Sequence, residues 1–100
     1  MTIHIPDRWI VVTLVDGEGV EVDKVLGGWH GGYLGSDSWQ LNSGIVNVEG
    51  HPEYFLFHGY SGSVYKCYKA RYGVTGLTSA VLSRFPKESV LSTNKYEVNE

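Results

Sequence analysis

The sequence is poor in cysteine and in long apolar runs. Cys67 is the only cysteine, so an internal disulfide is impossible and a disulfide-dense secreted scaffold is excluded. The longest apolar run, from Trp9 to Val15, is interrupted by Thr13 and falls far short of the ~20 residues that a membrane span needs. The first residues also lack the basic start of a signal peptide. We therefore expect an intracellular protein of the cytoplasm that has no membrane partner.

Length and charge set further limits. The chain of 100 residues has room for one core only, since typical domains have about 100 to 150 residues. The net charge is −3, but residues 1–53 hold eight acidic and two basic side chains, while residues 54–100 hold six basic and three acidic ones. This excess of basic residues is a weak footprint for nucleic acid. We predict a single domain over residues 1–100 whose two halves are solvated and attract each other weakly.

Apolar and β-branched runs between turn residues predict a β-rich chain. We expect strands at residues 9–15, 20–23, 39–41, 45–49, 54–58 and 63–69. After Gly76 the apolar residues take helical spacing, with Thr75 or Thr78 as the cap and Pro86 as the stop. Residues 87–100 are expected to form either a flexible tail or an edge strand at Tyr96 and Val98. The predicted fold class is mainly β: a small antiparallel meander of five or six strands, barrel-like or open, with one short C-terminal helix.

Residues 27–39 form the first candidate binding segment. Five glycines between Gly27 and Gly35 are too many for the interior of an ordered element. We predict a loop that presents aromatic side chains to a protein partner. The predicted contact residues are Trp29, His30, Tyr33 and Trp39. The alternative is that the two tryptophans anchor the loop to the core.

The second candidate surface lies in and beside residues 60–72, where tyrosines alternate with basic residues. Such a mixture packs well on strands, is enriched at protein interfaces and also resembles a surface that stacks on bases. We rank packing first, a protein interface second and nucleic acid third. The predicted partner-binding residues here are Tyr60, Lys66, Tyr68 and Lys69.

Catalytic and metal motifs are weak. The segment Gly59–Ser63 is similar to a nucleophile elbow, but its second glycine comes one residue early and a strand follows instead of a helix. His58 is the candidate base for Ser61 or for Cys67. The four histidines and Cys67 are scattered without the paired spacing of a zinc site. We predict a non-enzymatic protein without a cofactor or a metal, and a hydrolase or thiol enzyme as an alternative.

Three segments together resemble small uncharacterised proteins encoded by tailed bacteriophages. These segments are Gly27–Tyr33, Asp37–Ile45 and Gly59–Tyr65, and the resemblance covers residues 25–73. It implies an accessory or inhibitory protein that acts in the host cytoplasm by blocking a host protein sterically. A small nucleic-acid-binding β domain is the first alternative function, and a homodimer formed through an unpaired strand edge stays open.

Overall fold

The computed structural model describes residues 2–31 and 36–98, which form two four-stranded sheets and one α-helix. The strands are β1 Ile3–His4, β2 Arg8–Val15, β3 Glu21–Trp29, β4 Ser38–Leu41, β5 Ile45–Gly50, β6 Tyr54–Gly59, β7 Val64–Tyr68 and β8 Val90–Ser92. The helix is α1 Gly76–Ser83, and single 3-10 turns lie at Lys69–Arg71 and Lys87–Ser89. The predicted fold class, mainly β with one short helix, is confirmed.

The first sheet has the strand order β1-β7-β6-β5. Strands β5, β6 and β7 are consecutive and antiparallel, as the sequence predicts. The turn between β6 and β7 needs a residue with positive φ, which Gly62 supplies at 93°. Strand β1 comes from the other end of the chain and pairs with β7 in parallel, with Ile3 opposite Val64.

The second sheet has the strand order β4-β3-β2-β8, and its neighbouring strands are antiparallel. The turn between β2 and β3 is fixed by Asp16, whose Oδ1 accepts hydrogen bonds of 2.9 Å from the N–H groups of Glu18 and Val20. Short acidic side chains stabilise turns in this way because they replace a backbone acceptor. Strand β2 pairs along its full length with residues 21–28 of β3.

Strand β2 is buried on both faces, because the first sheet covers one face and α1 covers the other. Trp9 and Val11 pack toward the first sheet, whose inner face contributes Phe57, Tyr65 and Cys67. Ile10 and Val12 pack with Val81 of α1 on the opposite face. This arrangement confirms the prediction that the run 9–15 is a strand covered on both sides.

The described residues form eight strands, two more than the six segments predicted as strands, and the two sheets are open. The additional strands are the short edge strands β1 and β8. No strand forms at Tyr96 and Val98, where an edge strand was one of the two predicted alternatives; Tyr96 instead packs its ring on Phe57 at a centroid distance of 5.1 Å. The edge strand lies at Val90–Ser92 because its residues pair with β2.

Strand β3 extends further than predicted and includes Gly27 and Gly28, which the sequence assigned to a loop. The reason is close packing against the start of α1. A Cβ atom on Gly28 would lie 2.8 Å from the Cγ2 atoms of Thr75 and Thr78. Glycine is therefore required here for a close approach between strand and helix, and not for a turn.

Two ion pairs join the acidic first half to the basic second half. Arg71 lies 3.4 Å from Asp7, and Lys95 lies 2.7 Å from Asp23. The hydrogen bond to Asp23 and the charge of its carboxylate raise the pKa of Lys95. No helix of the described chain is long and apolar enough to cross a membrane.

Candidate functional site

A concave surface lies between β4, the outermost strand of the second sheet, and β1 with β7 of the first sheet. It consists of two adjoining cavities of about 550 Å³ and about 420 Å³. We call them together the edge groove. Both cavities are lined by His4, Trp39 and Gln40. The larger cavity is also lined by Leu41, Asn42, Ser43, Ser61, Ser63 and Tyr65. The smaller cavity is also lined by Ile3, Ile5, Trp29 and Ser38.

Strand β4 offers an unpaired backbone edge at this groove. The N–H group of Asn42, directly after β4, donates to the carbonyl oxygen of Val25 at 3.0 Å. In an antiparallel pair, residues that bond to the neighbouring strand alternate with residues whose backbone groups point away from it. Because Asn42 bonds to β3, the residues one and three positions before it do not. The N–H and C=O groups of Leu41 and Trp39 therefore point away from β3. In the part of the chain that the structure describes, no further strand lies beyond β4.

Aromatic rings form much of the groove wall. The ring of His4 stacks on Tyr65 at a centroid distance of 4.7 Å and meets the edge of Trp29 at 6.4 Å. The indole N–H of Trp29 donates to the carbonyl oxygen of Ile5 at 3.0 Å, which fixes this ring against the segment after β1. Trp39 is 42% exposed. One indole is therefore held in place while the other is available for contact.

Two polar contacts cross the groove between the sheets. The hydroxyl of Tyr65 donates to Oε1 of Gln40 at 3.2 Å. The hydroxyls of Ser43 and Ser61 lie 3.2 Å apart, and the N–H group of Ser61 donates to the Ser43 oxygen at 3.0 Å. Burial raises the pKa of the Tyr65 hydroxyl, with a smaller contribution from Cys67, so this group stays a donor at neutral pH.

Asn42 is the one groove residue with an unmatched buried polar atom. Its Oδ1 accepts a hydrogen bond of 2.9 Å from the N–H group of Val25, so the side chain continues the β3 ladder where β4 ends. This bond also shows which amide atom of Asn42 is the oxygen, because the N–H group of Val25 needs an acceptor. Nδ2 is buried and has no hydrogen-bond partner among the described atoms. The residue is only 4% exposed, and an unpaired buried donor of this kind is costly.

The described lining of the groove contains polar and aromatic groups and one imidazole, that of His4. None of the described residues that line its two cavities is Asp, Glu, Lys or Arg. The lining combines aromatic rings with carboxamides and hydroxyls. Such a surface suits an uncharged, partly apolar group.

Of the first predicted set, the structure brings Trp29 and Trp39 together in the edge groove. His30 is exposed and does not line either cavity; its backbone N–H donates to Oδ2 of Asp7 at 2.8 Å. Tyr33 lies outside the described residues.

The second predicted set lies elsewhere. Lys66 alternates along β7 with the inward-facing Tyr65 and Cys67, so it lies on the outer face of the first sheet. Its Nζ is 4.5 Å from the ring centroid of Tyr54 and 5.2 Å from that of Tyr68, a cation–π arrangement within the chain itself.

The two remaining residues of that set are separate from this cluster. Lys69 places its Nζ 4.8 Å from the ring centroid of Phe55. Tyr60 is 82% exposed in the turn between β6 and β7. The tryptophans thus lie on a different surface from Lys66 and Tyr68, as the two separate predictions for these residues allow.

The residues of the enzyme alternative are not brought together. His58 contacts Glu49 at 2.5 Å between its Nε2 and the carboxylate oxygen, while Ser61 bonds to Ser43. Cys67 faces the core, and burial raises the pKa of its thiol far above the ordinary value. Among the described residues, no group of three or more His, Cys, Asp and Glu side chains could hold a metal ion.

Sequence reasoning missed His4, Gln40 and Asn42 as groove residues. His4 and Gln40 carry no local signal, because strands from distant parts of the chain bring them together. The available signal was the Asn42-Ser43-Gly44 turn directly after a short strand, where an asparagine can bond to backbone.

Comparisons of the chain with protein families, with curated proteins and with solved structures found no match. The function is therefore inferred from the geometry of the chain's own residues.

Proposed function

We propose that this protein is a non-enzymatic interaction module that binds an extended segment of a protein partner in the edge groove. In the context implied by the bacteriophage resemblance, it is an accessory or inhibitory protein of the host cytoplasm, and its partner is a host protein. The two tryptophans predicted as partner contacts line one cavity of this groove. That observation carries the proposal.

The mode of binding is the addition of a strand to β4. The outward N–H and C=O groups of Trp39 and Leu41 are the backbone donors and acceptors that an incoming strand needs. Main-chain bonds of this kind give affinity, and the side-chain pockets beside the strand give specificity. The indole of Trp39 then packs on the side chains of the bound segment, as a central aromatic anchor does in protein interfaces.

The mechanism of inhibition is steric. While a segment of the partner is held between β4 and β1, that segment cannot make the contacts that the partner's own activity needs. The groove is already fixed by the Trp29 to Ile5 bond and by the Tyr65 to Gln40 bond, so little ordering entropy is lost on binding. No bond is made or broken in this mode of action.

The test compares variants at the two edges of the same sheet. Trp39→Ala removes the exposed indole beside the groove, and Leu91→Ala removes an exposed apolar side chain on β8, at the far edge, that is 54% exposed. Each protein is immobilised and exposed to bacterial lysate, and the captured proteins are identified and quantified. If the wild-type chain captures a protein through the groove, Trp39→Ala should capture about thirtyfold less of that protein.

Leu91→Ala should capture the same protein as the wild-type chain does. Equal capture by the wild-type chain and by Trp39→Ala would contradict the proposal, because the partner would then bind outside the edge groove. Loss with Leu91→Ala and retention with Trp39→Ala would place the partner at β8.

A further inference from the structure

His4 is the described lining residue of the edge groove whose side chain can carry a charge near neutral pH. It lines both cavities, and the described lining of neither cavity contains Asp, Glu, Lys or Arg. The other ionisable side chain of this lining is Tyr65, whose hydroxyl stays protonated because burial raises its pKa. A histidine side chain takes up a proton between about pH 8 and about pH 5. A charge that appears in the described groove in this range therefore lies on His4.

The ring of His4 is held by aromatic contacts, whereas its nitrogen atoms remain accessible. One ring face stacks on Tyr65 at a centroid distance of 4.7 Å and an interplanar angle of 28°, and the ring meets the edge of Trp29 at 6.4 Å. Neither ring nitrogen is one of the buried atoms of the described chain that lack a hydrogen-bond partner. Stacking on tyrosine also favours the protonated imidazole, since a cation is attracted to the face of an aromatic ring.

Charged side chains near His4 in sequence or on the neighbouring strand are engaged elsewhere. The carboxylate of Asp7 accepts from the N–H group of His30 at 2.8 Å and lies 3.4 Å from Arg71. Lys66 of β7 lies on the opposite face of the first sheet and contacts tyrosine rings there. None of the ion pairs among the described residues includes His4. A proton on His4 therefore has no counter-charge within the described part of the chain.

The alternation of β4 directs side chains of an added strand toward His4. Gln40 faces the first sheet, because its Oε1 accepts from the hydroxyl of Tyr65 at 3.2 Å. Ser38, two positions earlier, has the same facing and lines the smaller cavity together with His4. In a strand that pairs with β4, the residues opposite Gln40 and Ser38 place their side chains on this face as well. Every second side chain of the bound segment therefore points into the groove, whose far wall contains His4.

We propose that one of these side chains of the partner is a carboxylate, from aspartate or glutamate, which accepts a hydrogen bond from the ring of His4. This inference rests on the proposed function and specifies the chemistry of the partner segment. A carboxylate bonded to a protonated imidazole forms a charge-assisted pair, which is shorter and stronger than a bond between neutral groups. A lysine or arginine at the same position would meet a like charge and be repelled. The rest of the described lining is uncharged and contacts the apolar parts of the segment.

The test uses three blocked peptides, acetyl-Thr-Val-Xaa-Val-Thr-amide, with glutamate, glutamine or lysine at the central position. Threonine and valine favour the extended backbone that pairs with β4. Each peptide is titrated into the ¹⁵N-labelled protein at about pH 6 and at about pH 8, on either side of which histidine changes its charge. NMR follows the indole signal of Trp39 and the side-chain amide signals of Gln40.

The affinities should depend on the charge of the peptide and on pH. At the lower pH the glutamate peptide should bind about tenfold more tightly than the glutamine peptide, and the lysine peptide should bind most weakly. At the higher pH the preference for glutamate over glutamine should fall below about twofold, because histidine is then neutral.

A variant gives an independent measurement. His4→Phe keeps an aromatic ring beside Tyr65 and removes both nitrogens, so the preference for glutamate at the lower pH should disappear. His30→Phe is the matched control and should keep the preference, because His30 is exposed and lines neither cavity. The comparison among the three peptides on the wild-type protein stands even if His4→Phe does not fold.

The outcomes separate this inference from the proposed function. Equal affinity of the wild-type protein for the glutamate and glutamine peptides at the lower pH, with shifts at Trp39 and Gln40, would overturn the carboxylate inference alone. A preference for glutamate that persists in folded His4→Phe would do the same. Absence of shifts at Trp39 and Gln40 with every peptide at both pH values would overturn the proposed function as well.

Discussion

The hydroxyl of Tyr65 in the first sheet donates a hydrogen bond of 3.2 Å to the side-chain oxygen of Gln40 in the second sheet. Tyr65 is 3% exposed and packs in the core, whereas Gln40 is an exposed residue of the edge strand β4. The bond therefore connects β4 to a rigid part of the molecule on the other side of the edge groove. We infer that it sets the width of the groove.

Tyr65→Phe removes this bond while keeping the aromatic ring in the core. The free energy of unfolding should fall by about 1 kcal/mol, the usual net value of one hydrogen bond, since solvent can hydrate the exposed Gln40 oxygen. Urea denaturation of both proteins measures the change. Tyr60→Phe is the matched control, because Tyr60 is 82% exposed and should give no change. A loss equal to that of Tyr60→Phe would show that the bond contributes nothing to stability.

Gly28→Ala tests the close approach of β3 to α1. The added Cβ would lie 2.8 Å from two threonine methyl groups, so strand and helix must separate. We expect a loss of about 1 to 3 kcal/mol in the free energy of unfolding, as for other overpacked sites. Gly17→Ala is the control, since a Cβ there meets no atom within 4 Å and should change stability by less than about 0.5 kcal/mol. Similar values for both variants would contradict the packing role of Gly28.

The sequence predicted those elements whose signals are local. Strand β2 was predicted because the residues on both of its alternating faces are apolar. In the structure both faces are covered. The start of α1 was predicted with Thr75 or Thr78 as its cap, and the cap is Thr75, whose hydroxyl accepts from the N–H group of Thr78 at 3.0 Å. Such signals depend on residues within a few positions of one another.

The features that were missed depend on distant pairings. The parallel pairing of Ile3 with Val64 has no signal in a two-residue strand, yet it forms one wall of the edge groove. Gly28 was assigned to a loop because the sequence does not show why a glycine is needed there. The need arises from contact with Thr75 and Thr78, which is visible only in three dimensions. The separation of the tryptophans from Lys66 and Tyr68 depends likewise on which sheet each strand joins.

Cys67 should make the protein less stable at alkaline pH. Burial raises the pKa of its thiol far above the ordinary value of 9.0, so the folded state keeps the proton while the unfolded chain releases it. The unfolded state then binds fewer protons, and the free energy of unfolding falls above about pH 9 by at most about 1.4 kcal/mol per pH unit. Urea denaturation between about pH 8 and about pH 10.5 measures this slope.

Cys67→Ala is the control for this slope. It removes the thiol, together with its smaller contribution to the raised pKa of Tyr65, and keeps every tyrosine side chain, so its curve of stability against pH should be flatter. Parallel curves would contradict the assignment to Cys67. In the folded wild-type protein the thiol should also resist alkylation by iodoacetamide, and it should react readily in urea.

The two tryptophans of the edge groove should differ in their contribution to stability. Trp29 packs against the core and donates its indole N–H to Ile5, so Trp29→Ala should lower the free energy of unfolding by about 2 to 3 kcal/mol. Trp39 is 42% exposed, and Trp39→Ala should cost less than about 1 kcal/mol. Thermal unfolding followed by circular dichroism distinguishes the two. A larger loss with Trp39→Ala than with Trp29→Ala would mean that Trp39 is a structural residue, and it would remove the basis for using this variant to test partner binding.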